Sequence, residues 1–356
     1  MNVLSLFDGM SCGQQALERV GIKVDNYFAS EIDKYAITVT MANYPNTKQL
    51  GSVVNVDGYS LPKIDLLIGG SPCQSFSFAG KRKGMSTKDE QEILTLDHYL
   101  ELKSQEYEFE GQSYLFWEYM RLLSEVKPKY FLLENVMMGE KWEKVLSKAI
   151  GVKPIMINSS ILSAQNRQRL YWTNIGMKPS GLFGDLESII EQPKDLGILL
   201  KDILEPGVDE KYFLSQKMID GFLSHNKRHI EEKNQTGFNW KPTEGNKKAA
   251  CLRANAALAA TDNSIIVHNT MPRSSKSGKG GTGPLKREDG KTYCLDTGQT
   301  NAIQYCNNVR RLTPIECERL QTVKDNYTNH VSDSQRYKML GNGWTVDVIA
   351  HIFKYI

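Results

Sequence analysis

The chain has 356 residues, 40% of them hydrophobic and 24% charged, which is the balance of a soluble globular protein with room for one large domain and a smaller one. No apolar run approaches the roughly 18 residues of a membrane span, and six cysteines without a CxxC pair argue against both a disulfide framework and a zinc or other metal site. The formal charge is only +3, yet 15 Lys and Arg stand against 7 Asp and Glu between Lys211 and Leu295, which suits either a polyanion-binding region or a solvated basic loop.

In chain order, Met1 leads straight into the apolar run Val3 to Phe7, without the basic segment and long apolar stretch of a secretory signal, so a cytoplasmic protein is expected. A loop with Gly9 and Gly13 follows, and Gln14 to Val20 has helical spacing, which together make a βα unit. Further strands are expected at Asn26 to Ser30, ending at Glu31; at Asp65 to Ile68, ending at Gly69, Gly70 and Ser71; and at Tyr130 to Leu133, ending at Glu134. Every unusual residue follows a strand. In an open parallel α/β sheet ligands bind at the carboxyl ends of the strands, so these residues should meet in one crevice.

Lys81 to Gln112 reads as a long mobile loop, with a helical surface insertion as the alternative, and Ser113 to Val126 is amphipathic. From Thr173 to about Asn307 the βα rhythm is lost. Regular patterning returns at Val309 to Gln321 and again at Tyr337 to Ile356, whose helical spacing reads as an element that should pack back onto the first part of the chain. The expected division is residues 1–172, a smaller irregular domain over 173–307, and 308–356 completing the first domain.

Four constellations carry chemistry. Gly9 and Gly13, with Glu31 about 20 residues on, fit either a nucleotide-type cofactor or a tight turn beside a surface glutamate; a dinucleotide dehydrogenase would carry G-x-G-x-x-G, absent here. In Ser71-Pro72-Cys73-Gln74 the proline restricts its own φ and its neighbour's, holding a thiol rigidly at a strand end. Glu134 should lie at the rim of the sheet, where partial desolvation favours the neutral acid and a proton can be given; the alternative is a cap on the next helix. Finally, Gln165, Arg167 and Arg169 share one face if extended, and two guanidinium groups pointing together ask for an anion.

Six blocks in this order resemble those of the DNA cytosine-5 methyltransferases over nearly the whole chain: Phe7-Asp8-Gly9 with Gly13, Gly70 to Gln74, Glu134-Asn135-Val136, Gln165 with Arg167 and Arg169, Arg310 to Pro314 running on to Arg319-Leu320-Gln321, and Gly341-Asn342-Gly343. The opening and the Asp65 to Cys73 segment resemble the eukaryotic de novo branch, whereas the start at Met1 looks bacterial or phage. The resemblance implies a Rossmann-like, S-adenosylmethionine-dependent methyltransferase sheet with a target-recognition domain. It also implies that Phe7, Asp8, Gly9, Met10, Ser11, Gly13, Glu31, Ile32, Ser52, Val53, Pro72, Leu115, Asn342 and Trp344 surround the cofactor. Cys73 would attack carbon 6 of a flipped-out cytosine, assisted by Glu134, Arg167 and Arg169. Gln74, Ser75, Arg82, Gln165 and Arg253 would contact duplex DNA, which the protein would bind as a monomer. Ser52 stands where relatives carry an aspartate, Ile32 where an aromatic is common, and Trp344 where an aliphatic residue is common. A transfer RNA methyltransferase and a non-catalytic DNA-binding relative are the competing readings.

Overall fold

Four short apolar segments determine the architecture: β1 (Asn2–Leu6), β2 (Asn26–Ser30), β4 (Leu66–Gly70) and β5 (Tyr130–Val136). They pair in parallel in the order β2-β1-β4-β5, and the two-residue β3 (Lys48–Gln49) extends the β2 edge in parallel. Beyond β5 the direction reverses: β7 (Gln168–Thr173) runs antiparallel to β5, and β6 (Ile155–Asn158) antiparallel to β7, so the full order is β3-β2-β1-β4-β5-β7-β6. The structure is a computed structural model that describes residues 1–72, 85–180, 185–226, 247–249, 251, 264–267 and 308–356.

Strands buried on both faces need apolar residues at odd and even positions alike, which is why these segments read as runs and not as alternations. Val3, Leu66, Ile68 and Leu132 enter one core with α1 (Cys12–Arg19) and the C-terminal helices, whereas Leu4, Leu6, Leu67 and Leu133 enter the other with α4 (Phe116–Val126) and α5 (Glu140–Ile150). The C-terminal helices are α7 (Pro314–Leu320), α8 (Asp333–Asn342) and α9 (Val346–Phe353). Their return to the N-terminal region is tied by Arg19 to Asp347, by Lys338 Nζ to Asp33 at 2.7 Å, and by Tyr327 Oη donating to Met10 O at 2.8 Å. Thr313 and Glu316 close a capping box at α7 behind Pro314, which removes orphan donors at the helix start.

Two expectations need correction. Of the two readings of Lys81 to Gln112, the helical insertion holds for residues 85–112 and the long loop does not. Met85, Ile93, Tyr99 and Leu102 are buried, α3 (Leu96–Ser104) forms, and Phe109 stacks on Tyr114 with ring centroids 4.5 Å apart. Glu118 on α4, fully buried, fastens this insertion by accepting from Tyr99 Oη and Lys103 Nζ, each at 2.5 Å. Tyr337 to Ile356 is not one helix either, because α8 ends at Asn342 and α9 begins at Val346.

The irregular region is partly anchored on the same core. Its described residues include a β8–β9 hairpin (Met177–Ser180 with Asp185–Ser188) and α6 (Gln216–Asn226), and Ile175, Ile190, Leu200, Ile203 and Tyr212 join the core beside α7 to α9. A short strap at 247–249 follows. Ala249 pairs with Ala164 and Asn166 through backbone bonds of 2.7 and 2.9 Å, while the Lys248 ammonium donates to the carbonyls of Ser160, Ser163 and Ile198. β10 (Ser264–Val267) then pairs antiparallel with β11 (Asn308–Arg311).

Candidate active site

The carboxyl ends of β1, β2, β4 and β5 open onto one cavity of about 610 Å³, within the range that holds a nucleoside-sized ligand. Its shape begins with the turn after β1. Phe7 and Ser11 adopt left-handed φ values of 57° and 62°, a strained conformation for residues with a Cβ, and such strain concentrates at functional turns. Gly13 brings α1 down onto the sheet, since a Cβ there would lie 2.3 Å from Ile68 Cδ1.

On the β1–β2 side the Glu31 carboxylate receives three backbone N–H groups: Gly9 on Oε2 at 2.8 Å, and Ile32 and Asp33 on Oε1 at 2.7 and 2.8 Å. Asp8 lies beside it. Burial pushes the Asp8 carboxyl up to about 6, with the Glu31 charge adding to the rise and the hydroxyls of Ser5, Ser11 and Tyr27 opposing it. Tyr27 Oη donates to Oδ1 at 2.8 Å, but the buried Oδ2 has no hydrogen-bond partner among the described residues.

On the β4–β5 side Glu134 is 9% exposed. Arg169 Nε approaches its Oε1 at 2.9 Å and Trp344 Nε1 donates to its Oε2 at 3.2 Å. It does not cap a helix, because it lies inside β5 and α5 starts at Glu140. Asn135 turns the other way and donates from Nδ2 to Ser71 Oγ at 3.0 Å and Ser71 O at 3.3 Å, which fixes the start of the segment leading to Pro72. Arg167 is buried and donates to the carbonyls of Gly341 and Gly343 and to Cys251 Sγ at 3.2 Å. Burial pushes the Cys12 thiol, also on the cavity wall, up to about 12, so it stays protonated.

The cavity gathers Phe7, Asp8, Gly9, Glu31, Ile32, Ser52, Val53, Pro72, Leu115, Glu134, Arg167, Arg169, Asn342 and Trp344, from positions scattered over most of the chain. Three expected residues do not line it. Met10 is buried beneath the turn, Ser11 Oγ accepts from Gln14, and Gly13 serves packing. Gln165 is not on a DNA-facing surface: it is fully buried and donates to Leu320 O and Gln321 Oε1, each at 3.2 Å. Of Gln165, Arg167 and Arg169 only the two arginines reach the cavity, and since β7 starts at Gln168 the strand alternation that grouped the three does not extend back to Gln165. Cys73, Gln74, Ser75, Arg82 and Arg253 lie outside the described residues. Sequence reading missed Gln112 at the end of the insertion and Tyr114 just after it, which carry no motif, and passed over Asn135, whose neighbour Glu134 was the signal.

The family model for C-5 cytosine-specific DNA methylase matches residues 1–356. The chain belongs to this family. It is a DNA (cytosine-5-)-methyltransferase, and relatives of bacterial and phage origin agree. The orphan methyltransferase M.SPRI of Bacillus phage SPR is 27% identical, with 99% of this chain and 97% of that protein covered. The type II methyltransferase M.NlaX of Neisseria lactamica is 28% identical over 98% and 94%. Among solved structures, Entamoeba histolytica methyltransferase EhMeth shares the fold with a TM-score of 0.64 at 15% identity, covering 100% of this chain and 97% of that one. Spodoptera frugiperda DNMT2 follows at 0.62 and 19%, covering 99% and 98%. For this methyltransferase, then, the sheet is the Rossmann-like one and the substrate is cytosine in DNA. Among the described residues no helix is long and apolar enough to cross a membrane, and no cluster of acidic, histidine or cysteine side chains could hold a metal.

Proposed function

We propose that this methyltransferase uses S-adenosylmethionine to methylate carbon 5 of a cytosine flipped out of duplex DNA, through a covalent adduct with Cys73. The observation that carries the reading is the single cavity with two chemically different ends, Asp8 with Glu31 at one and Glu134 with Arg169 at the other. The first end suits the cofactor. A carboxylate with an orphaned buried oxygen welcomes a cationic ammonium or sulfonium group, and Glu31, held by three N–H groups, keeps lone pairs for ribose hydroxyls. When bound, S-adenosylmethionine supplies an electrophilic methyl group on its sulfonium.

The second end suits the base. Carbon 6 of cytosine is a weak electrophile, so attack by the Cys73 thiolate requires stabilisation of the negative charge that spreads toward N3. Glu134 gives a proton to N3 and accepts from the exocyclic amine, and Arg169, paired to one oxygen of this carboxyl group, reaches the O2 edge. Addition of sulfur at carbon 6 makes carbon 5 the nucleophile toward the methyl group; once carbon 5 is methylated, a base removes its proton and Cys73 leaves, restoring the ring. A stacked cytosine cannot enter such a cavity, so the base must rotate out of the duplex.

Residues 1–172 and 308–356 make up the catalytic part in this reading, and 173–307 choose the target, with their basic stretch on phosphates and bases. Transfer of labelled methyl groups to DNAs of varied sequence, with bisulfite readout, is the test. Defined methylated cytosines support the reading; transfer to transfer RNA alone, or cofactor binding without any transfer, contradicts it.

A further inference from the structure

We propose that Trp344 is a positioning residue for methyl transfer: its indole N–H orients the Glu134 carboxylate, and Arg167 acts through it by holding the turn that carries it. This rests on the role of Glu134 given above. A glutamate carboxylate on its own turns freely about its last torsion. Here both oxygens are gripped, Oε1 by Arg169 Nε at 2.9 Å and Oε2 by Trp344 Nε1 at 3.2 Å, so the plane of the carboxylate is fixed before any base arrives. Trp344 stands 210 positions away from Glu134 in the chain, in the break between α8 and α9.

The turn itself is built for placement. Arg167 Nη2 donates to Gly343 O at 3.0 Å and Gly341 O at 3.3 Å, and Gln321 Nε2 donates to Leu340 O at 2.6 Å and Gly343 O at 3.2 Å. A buried guanidinium at the carbonyl end of α8 satisfies groups that the helix leaves open and favours its dipole. Gly70 supplies an independent sign. A Cβ there would lie 2.9 Å from Trp344 Nε1 and 3.1 Å from Glu134 Oε2, so a side chain would wedge into the contact. A ring that merely filled core would need neither a directed N–H nor this clearance.

A small misplacement of a group that acts only on the developing charge lowers the rate at saturation more than it lowers binding. Trp344→Phe keeps the ring and removes the donor. The expected result is a fall of about tenfold or more in the single-turnover transfer rate at saturating DNA and S-adenosylmethionine, with cofactor affinity within about twofold and melting temperature nearly unchanged. Arg167→Lys should lower the rate as well, and the double variant should be no slower than the slower single one.

Glu134→Gln separates the two claims. If it transfers at the wild-type rate, the reading of Glu134 itself falls. If it collapses while Trp344→Phe keeps its saturated rate, the positioning role is overturned, and so it is if Trp344→Phe loses only cofactor affinity. Multiplying effects in the double variant would overturn the part assigned to Arg167. Should Trp344→Phe fail to fold, Gly70→Ala decides, since it leaves the indole present but forces it off the carboxylate; an unchanged saturated rate there overturns the proposal.

Discussion

Asp8 is a buried acid whose charge the fold tolerates poorly, and removing that charge should make the protein more stable and less able to bind its cofactor. Its carboxyl is pushed from an ordinary 3.8 to about 6 by burial. The folded chain thus holds this proton more tightly than the unfolded chain. Its contribution is complete below pH 3.8, declines as pH rises toward 6, and above that leaves a constant penalty of up to about 3 kcal/mol. Asp8→Asn keeps an acceptor for Tyr27 Oη but leaves a buried amide in place of Oδ2, so a net gain of about 1–2 kcal/mol at pH 8 is the realistic expectation. That corresponds to a melting temperature higher by a few degrees. The gain should fall by about 1.4 kcal/mol, to near zero, at pH 5, where the folded wild type is already largely protonated. Scanning calorimetry at the two pH values reads the stability, and titration calorimetry reads the cofactor, whose affinity should fall at least tenfold at pH 8 as a cation loses its counter-charge. A variant less stable than wild type at pH 8, or a gain independent of pH, would refute the reasoning.

Three other perturbations follow from the same geometry. Glu118→Gln takes from Lys103 its carboxylate and from Arg121 one of two, Glu125 remaining, and should cost about 3 kcal/mol in urea denaturation; a loss below about 1 kcal/mol would contradict the buried hub. Because Arg121 also donates to Val53 O and Val56 O beside the cavity, the same variant should raise KM for the cofactor. Asn135→Ala frees Ser71 and should lower kcat about tenfold with cofactor affinity nearly unchanged; an unchanged kcat argues that the Ser71 segment holds itself. Glu31→Gln puts an amide where backbone N–H groups converge and should weaken cofactor binding at least tenfold while the saturated rate is largely kept; unchanged affinity would remove Glu31 from the cofactor end.

How much was legible before any coordinates depended on whether a signal was local. β1, β2, β4 and β5 are continuous apolar runs because both their faces are covered, and such runs stand out in the sequence. The residues that follow them in the sequence, Gly9, Glu31, Ser71 and Glu134, could be expected to converge because a parallel sheet presents all its carboxyl ends on one side. The insertion at 85–112 was legible only as one of two alternatives, and its burial was not. Its burial relies on a few apolar residues spaced without period, and its anchor is the charged Glu118 on α4, which composition alone would assign to solvent. Gln165 misled for a related reason: alternation predicts a face only where the residues are in a regular strand, and this one pairs with the strap at Ala249 and with α7. The contact of Trp344 with Glu134 had no signature at all, since it depends on the angle at which the break between α8 and α9 meets the sheet.

The most direct test of the covalent mechanism uses duplex DNA carrying 5-fluorocytosine at the target position together with S-adenosylmethionine. Fluorine at carbon 5 cannot leave as a proton does, so the adduct should persist. Wild-type protein should give a denaturant-resistant complex with DNA that maps to the peptide containing Cys73, and Cys73→Ala should give none. A complex that survives in Cys73→Ala, or no complex from wild-type protein that methylates ordinary DNA at the same site, would contradict the account.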